Sequence, residues 1–483
     1  MELSTISRII LLLAITFLLL LTYIISYVLA IQSLFISTVA VTFLYFGLCC
    51  LAFFDKGFPL SIFILTLAFF NIGGVFVRWS ETHHISQQSM KSVNLVMISL
   101  YTVVFSYVIF QLLFTTNKRI STYRENKEKP QTLDYSKIFA DITFALSAFT
   151  GICKILLGIE KWIFVIRYGY VSYYSSFNTS FPFIQRFSIL SDISFWIYIF
   201  QNDKVTKRKI FSWLLYFLNL ILTLMVGQRG PIVLGLLMST LYWFRITDLT
   251  SGKSGLKELR KKFTKLFFVV VILSPAMFYF LNLYAYLRVG DLPPASELSD
   301  VIKEFLVSQG DSGFYNVNFA ANEYASMPKP QNTSYLLAPI VNIVRNGLIG
   351  KILGTSKAFG QTRESAWYSG YWSYYLSYVT LGKGFLEGRG VGSSYIAEAF
   401  ADLSFFGVFL INILYGFVIA FFNSHKITNP IINGVMFCML SDIYYAPRAL
   451  AFSFLGDLLN YLVLLTIILL SVLYYWIRKK RSL

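Results

Sequence analysis

Apolar residues in this chain fall in stretches of membrane length, separated by short polar connectors and interrupted once by a long polar insertion. The stretches run about 18 to 25 residues, the length a helix needs to cross the hydrocarbon core of a bilayer. About twelve candidate spans are predicted, starting near residues 9, 33, 58, 93, 138, 181, 210, 230, 266, 394, 429 and 453. No small-residue cleavage site follows the first, so it reads as a retained helix. The pattern predicts an all-α polytopic membrane protein with spans 1–9 over residues 1–286, one large extracytoplasmic loop over 287–393, and spans 10–12 over 394–483. The two halves differ in loop pattern and show no internal repeat of the transporter kind.

The insertion carries its own pattern. After Pro293-Pro294, the apolar positions Leu298, Val301, Ile302, Phe305 and Leu306 repeat at helical spacing, with Glu297 and Asp300 in the first turn. An amphipathic helix resting on the bundle or the lipid surface is expected there. The more apolar stretch Tyr335–Leu353 reads as a re-entrant or interfacial helix. An aromatic run containing Trp367, Tyr371, Trp372 and Tyr374 follows, and then a glycine-rich run from Gly382 to Ser394 whose backbone can approach a ligand closely.

The chain has 483 residues, 56% hydrophobic, 18% aromatic and 13% charged, against roughly a quarter charged in soluble domains. Its net charge of +17 raises the question of a nucleic-acid partner, and the placement of the charges answers it. With a cytoplasmic amino terminus, more than half of the 41 Lys and Arg fall on the inner side, chiefly in 118–137, 204–209, 245–265 and the tail 478–481. That is the positive-inside bias of a cytoplasmic (inner) membrane protein, and no nucleic-acid partner is expected. The insertion, with nine basic and eight acidic residues, is nearly neutral and lies on the outer side. Cys49, Cys50, Cys153 and Cys438 sit inside apolar runs and outline no disulfide framework. With three histidines and neither an Asp-x-Asp nor a Cys-x-x-Cys pair, neither a metal nor another cofactor is expected.

The sharpest local feature is Gly227-Gln228-Arg229-Gly230-Pro231, between two apolar stretches. Glycines allow a tight reversal, and Pro231 suits the first turn of a new helix. Arg229 thereby sits near free amides at a helix amino terminus, at the outer boundary, where an anion is favoured. The bland alternative is an arginine that snorkels to headgroups or pairs with an acid. Arg389, in the glycine run, is the second candidate. It precedes Ser393, Ser394, Glu398 and Asp402, and the last two share a helix face. Either carboxylate could take a proton from a hydroxyl or serve as a counter-ion to an arginine. Arg288, Arg345 and Arg363 are weaker anion ligands that could reach down from the loop. The clusters Trp367–Tyr375 and Tyr168–Phe177 are either platforms for sugar rings or the aromatic belt of the interface. Lys154, Asp141, Asp192, Asp442, Arg448 and Asp457 are expected to pair inside the bundle.

These residues resemble a family. The block Gly227–Trp243, an Arg-Gly turn followed by an apolar helix, is similar to a turn shared by bacterial O-antigen polymerases and ligases. The block Gly388–Ile411, with Gly-x-Gly-x-Gly-Ser-Ser followed by Glu398, Asp402, Gly407 and Val408, resembles the segment after the large loop of Wzy-type O-antigen or capsule repeat-unit polymerases. The resemblance implies a GT-C-like fold and an inverting, metal-independent transfer outside the membrane. A growing glycan would leave polyprenyl pyrophosphate for a lipid-linked repeat unit, in the company of membrane lipid and a chain-length regulator. It makes Arg229 and Arg389 pyrophosphate ligands and Glu398, or else Asp402, the base. The chain departs from the family pattern in two places. Ser393 stands where ligases have a histidine, and none of Arg167, Arg288, Arg345 or Arg363 has a glycine eleven positions later. Two other readings stay open: a lipid-linked oligosaccharide flippase, which would have short outer loops, and a ligase-like glycan transferase, which the missing histidine disfavours.

Overall fold

A computed structural model describes residues 3–121, 134–201, 205–248, 297–330, 334–346, 360–424 and 429–482, together with 255, 257–261, 276, 279, 283, 350 and 352–354. Every regular element among them is helical. Six helices are long and apolar enough to cross a bilayer: Gln32–Ala52, Gln87–Phe114, Lys137–Tyr168, Thr206–Met225, Gly230–Asp248 and Tyr395–Ser424. A seventh crossing is available to Lys56–Asn71 and Gly73–Thr82, which meet at 47°, and Ala14–Val28 and Tyr461–Ile477 are shorter apolar helices. The chain is an all-α polytopic membrane protein.

Two of the expected spans take another form. The apolar run near 181 divides into the short helices Pro182–Ser188 and Ser191–Ile199. In the second, every residue except Asp192 is buried, so its apolarity reflects protein packing and not lipid contact. The run near 429 becomes Pro430–Tyr445, started by the Asn429 side chain, which accepts from the Ile431 amide at 2.9 Å. It is 16 residues long and ends in a 3₁₀ turn over Ala446–Arg448. The span expected near 266 lies outside the described residues.

The insertion is not a cap resting lightly on the bundle. Its first helix, Leu298–Asn322, extends well beyond the amphipathic segment read from the pattern and buries Phe314, Val317, Phe319, Ala320 and Ala321. It crosses the Gly73–Thr82 helix so closely that a Cβ on Gly310 would stand 2.4 Å from the Gly74 backbone nitrogen. Two facing glycines bring the backbones together there, as at many helix crossings in membranes. Arg78 pairs with Asp311 beside this crossing. The rest of the insertion folds around a cluster of Phe319, Tyr324, Tyr335, Trp372, Tyr375 and Leu376. Trp372 is 0% exposed at its centre and donates its indole N–H to Asn316 Oδ1 at 2.9 Å.

Candidate functional site

The Thr206–Met225 helix ends because Gly227, at φ +105°, takes a conformation closed to most residues. The Gln228 amide returns to the Thr223 carbonyl at 3.1 Å and the Gly227 amide to Leu224 at 2.8 Å, the double closure of a Schellman turn. The Gly230–Asp248 helix begins at once, with Pro231 in its first turn. Arg229 is thereby fixed between two helices, half-buried, with its guanidinium over the Phe305 ring at 5.8 Å.

Arg229 lines a cavity of about 1500 Å³, which Arg389 also lines. Arg389 projects from the glycine run, whose backbone is anchored by the Arg389 amide on Gly384 O at 2.9 Å and by Gln361 Nε2 on Arg389 O at 3.2 Å. A third guanidinium, Arg448, enters from the 3₁₀ turn after Pro430–Tyr445. It donates to Gln309 Oε1 and lies over the Phe70 ring at 5.6 Å. Three segments remote in sequence thus direct arginines into one space. Lys154 and Lys161 add two ammonium groups, and Asp192, Asp442 and Asp457 face them from other helices. Lys154 Nζ lies 2.7 Å from both Asp192 oxygens. Tyr170, Tyr174 and Tyr374 supply hydroxyls. Burial raises the Tyr374 phenol pKa, so this residue offers a neutral O–H. Leu157, Ile189, Leu220 and Leu234 make an apolar wall.

Other expected site residues serve the scaffold. Glu398 is 0% exposed and does not line the cavity. Its Oε1 accepts from the Ser393 hydroxyl at 2.5 Å and its Oε2 from the Ala451 amide at 2.8 Å. It therefore ties the end of the glycine run to the segment just after Arg448, and no oxygen is directed at the cavity to act as a base. Asp402 accepts from the Ser334 hydroxyl and the amides of Tyr335 and Leu336, at 2.6, 3.0 and 2.9 Å, and so caps the entry to the Ala338–Asn346 helix. Ser393 and Ser394 are buried behind the run. Arg345 donates to Tyr368 O at 2.6 Å and joins two parts of the insertion. Arg363 is exposed at the start of Arg363–Tyr368 and does not line the cavity. Arg288 lies outside the described residues. Of the aromatic run, Tyr374 reaches the cavity, whereas Trp367, Tyr371 and Trp372 do not. Trp372 is a core residue, which removes it as a sugar platform. Burial pushes the Tyr371 phenol up to about 12.

Lys154, Asp141, Asp192, Asp442, Arg448 and Asp457 were expected to pair inside the bundle. Among the described residues, Asp141 pairs with Arg208 and Lys154 with Asp192, and all of the six except Asp141 line the cavity. Their signal lay in the general rule that an ionisable residue within a span is a functional candidate.

The fold and the cavity together define a multi-pass membrane protein built around a cation-rich chamber. The sequence model of the family described as O-antigen polysaccharide polymerase Wzy matches residues 9–480, and the chain belongs to that family. No curated protein and no solved structure matches it.

Proposed function

We propose that the protein joins glycan repeat units at the outer face of the cytoplasmic membrane. A growing glycan on polyprenyl pyrophosphate is the donor, and a hydroxyl of the next lipid-linked repeat unit is the acceptor. The acceptor oxygen attacks the anomeric carbon from the side opposite the pyrophosphate, so the configuration inverts. The observation that carries this reading is the convergence of Arg229, Arg389 and Arg448 on one cavity of about 1500 Å³ between membrane helices. Ligand pockets for drug-sized molecules run roughly 300–1,000 Å³. The larger space suits a diphosphate with sugar rings on both sides of the reacting bond.

Pyrophosphate is a competent leaving group, so the work left to the protein is to hold its charge and align the acceptor. Guanidinium forks match phosphate oxygens two at a time, and in a partly dry site such preorganised charge acts strongly on the transition state. Three guanidiniums can balance the leaving diphosphate without a divalent cation. The apolar wall suits the prenyl chain, while the tyrosine hydroxyls suit sugars. Binding donor and acceptor side by side supplies the remaining advantage.

The test uses the purified full-length protein in lipid vesicles, supplied with polyprenyl-pyrophosphate-linked repeat units extracted from polymerase-deficient cells of the source strain. Products of two or more units are expected, and unchanged single units would overturn the reading. In cells, loss of the gene should leave single repeats on the surface. Retained polymer that never reaches its final acceptor would indicate a ligase. Trapped lipid-linked units would indicate a flippase.

A further inference from the structure

Two of the three cavity carboxylates have no cation committed to them. Asp192 holds Lys154 through both oxygens. Among the described residues, neither the Asp442 nor the Asp457 carboxylate makes a hydrogen bond or ion pair. Asp457 lies close enough to Lys154 to feel its charge, whereas the charged groups that act on Asp442 are the carboxylates of Asp457 and Asp192. Asp442 also has the more telling position. It lies three residues before Tyr445 on the same helix, about 4.5 Å along the axis. The Tyr445 hydroxyl touches the Arg229 turn, since a Cβ on Gly230 would stand 2.7 Å from it. Arg448 follows directly in the next turn. Asp442 is therefore one helical turn from the tyrosine that abuts the Arg229 turn and six residues before Arg448, and it lines the cavity that both guanidiniums line.

Resting on the polymerase reading, we propose that Asp442 is the general base that takes the proton from the acceptor hydroxyl. The O–H bond of the acceptor breaks toward a carboxylate oxygen of Asp442 as the acceptor oxygen bonds to the anomeric carbon. The bond from that carbon to the pyrophosphate oxygen breaks with its electron pair, which leaves on the diphosphate held by the arginines. The proton on Asp442 then passes to water in the cavity. Asp192 and Asp457 face the carboxylate from two other helices, and Lys154 lines the same cavity. Cys438 and Tyr445 share its helix, and Tyr216 faces the same space.

The experiment compares purified full-length protein with Asp442→Asn and Asp442→Glu in vesicles, using the same extracted lipid-linked units and measuring binding of that donor separately. Asp442→Asn is expected to slow elongation about 10²–10⁴-fold, the usual span for a general base, with donor affinity unchanged. A rate within about threefold of wild type, or a parallel loss of donor binding, overturns the assignment. Asp442→Glu keeps a carboxylate and is expected to displace the acid limb of the pH–rate profile. An acid limb that stays in place also overturns the assignment, and this arm decides alone where the Asn variant does not reach the membrane. The two readings fail differently: wild type that makes no polymer sinks the polymerase, whereas wild type and Asp442→Asn elongating equally sinks only the base.

Discussion

Glu398 offers the cleanest separation of scaffold from chemistry. Its carboxylate is fully enclosed and each oxygen accepts one hydrogen bond, from Ser393 at 2.5 Å and from Ala451 at 2.8 Å. The Ala451 segment is also gripped by Tyr415, whose hydroxyl donates to Ala451 O at 2.6 Å, and by Asn71, which donates to Pro447 O at 3.3 Å. Together these contacts fix the turn that presents Arg448. A buried donor or acceptor left without its partner costs about 1–3 kcal/mol. Glu398→Ala removes both and strands a buried N–H and a hydroxyl, at a cost of about 2–6 kcal/mol for the two, a large part of a total stability of about 5–15 kcal/mol. Glu398→Gln is nearly isosteric. Its carbonyl can accept from Ala451, and its amide can donate to a Ser393 hydroxyl rotated to accept. Both contacts are then kept, and the loss is on the order of 1 kcal/mol. The expected outcome is a Gln variant present at normal levels, somewhat less heat-stable in detergent, and elongating within about tenfold of wild type. The Ala variant should be poorly recovered and show a shortened glycan ladder. A Gln variant that folds and binds donor normally yet makes no polymer would refute this account and return the carboxylate to the reaction.

Arg229→Ala should cost elongation about 10²–10³-fold, the scale for removing one preorganised charge donor. Arg229→Lys should recover only part of it, because a point charge cannot replace the fork. Normal polymer length and yield in either variant would remove Arg229 from the site. Trp372→Ala opens the centre of the insertion and leaves Asn316 without its donor, so a loss of about 3–5 kcal/mol is expected in thermal melts. Trp367→Ala, at the half-buried edge, should melt close to wild type, and equal effects of the two would contradict the packing described. Gly310→Ala places a methyl against the Gly74 backbone and should destabilise by about 1–3 kcal/mol. An unchanged melting temperature would mean the two helices are not in that contact.

Hydrophobic run length made the membrane class and most of the apolar helices legible, and local composition the Arg229 turn. The turn was readable because its instruction is local: two glycines and a proline admit few conformations. Ser191–Ile199 was misread for a definite reason. A helix buried on all sides by protein has the same composition as one facing lipid, and only its length, nine residues, separates the two. The length of Leu298–Asn322 was hidden because its second half is bounded by Gly310, Asp311 and Gly313, residues that look like a helix end in sequence and act as a close crossing in space.

The acids and bases of the site illustrate a harder limit. Glu398 and Asp402 share a face beside a glycine run, and that adjacency suggested chemistry. Yet a carboxylate next to a loop's re-entry point is also where orphan polar groups need an acceptor: Asp402 is spent on two amides of the insertion, and Glu398 on the Ser393 hydroxyl and the Ala451 amide. Ionisable residues deep in spans were expected to neutralise one another. The expectation holds for Arg208 with Asp141 and for Lys154 with Asp192, where the two partners stand on neighbouring helices. It fails for Asp442, Asp457 and Arg448, which border a shared cavity. Removing a charge from water is costly unless a partner or water remains, and a chamber open to water lifts that requirement. Whether an intramembrane charge pairs or works thus depends on the space beside it, which is set by helices far apart in the chain.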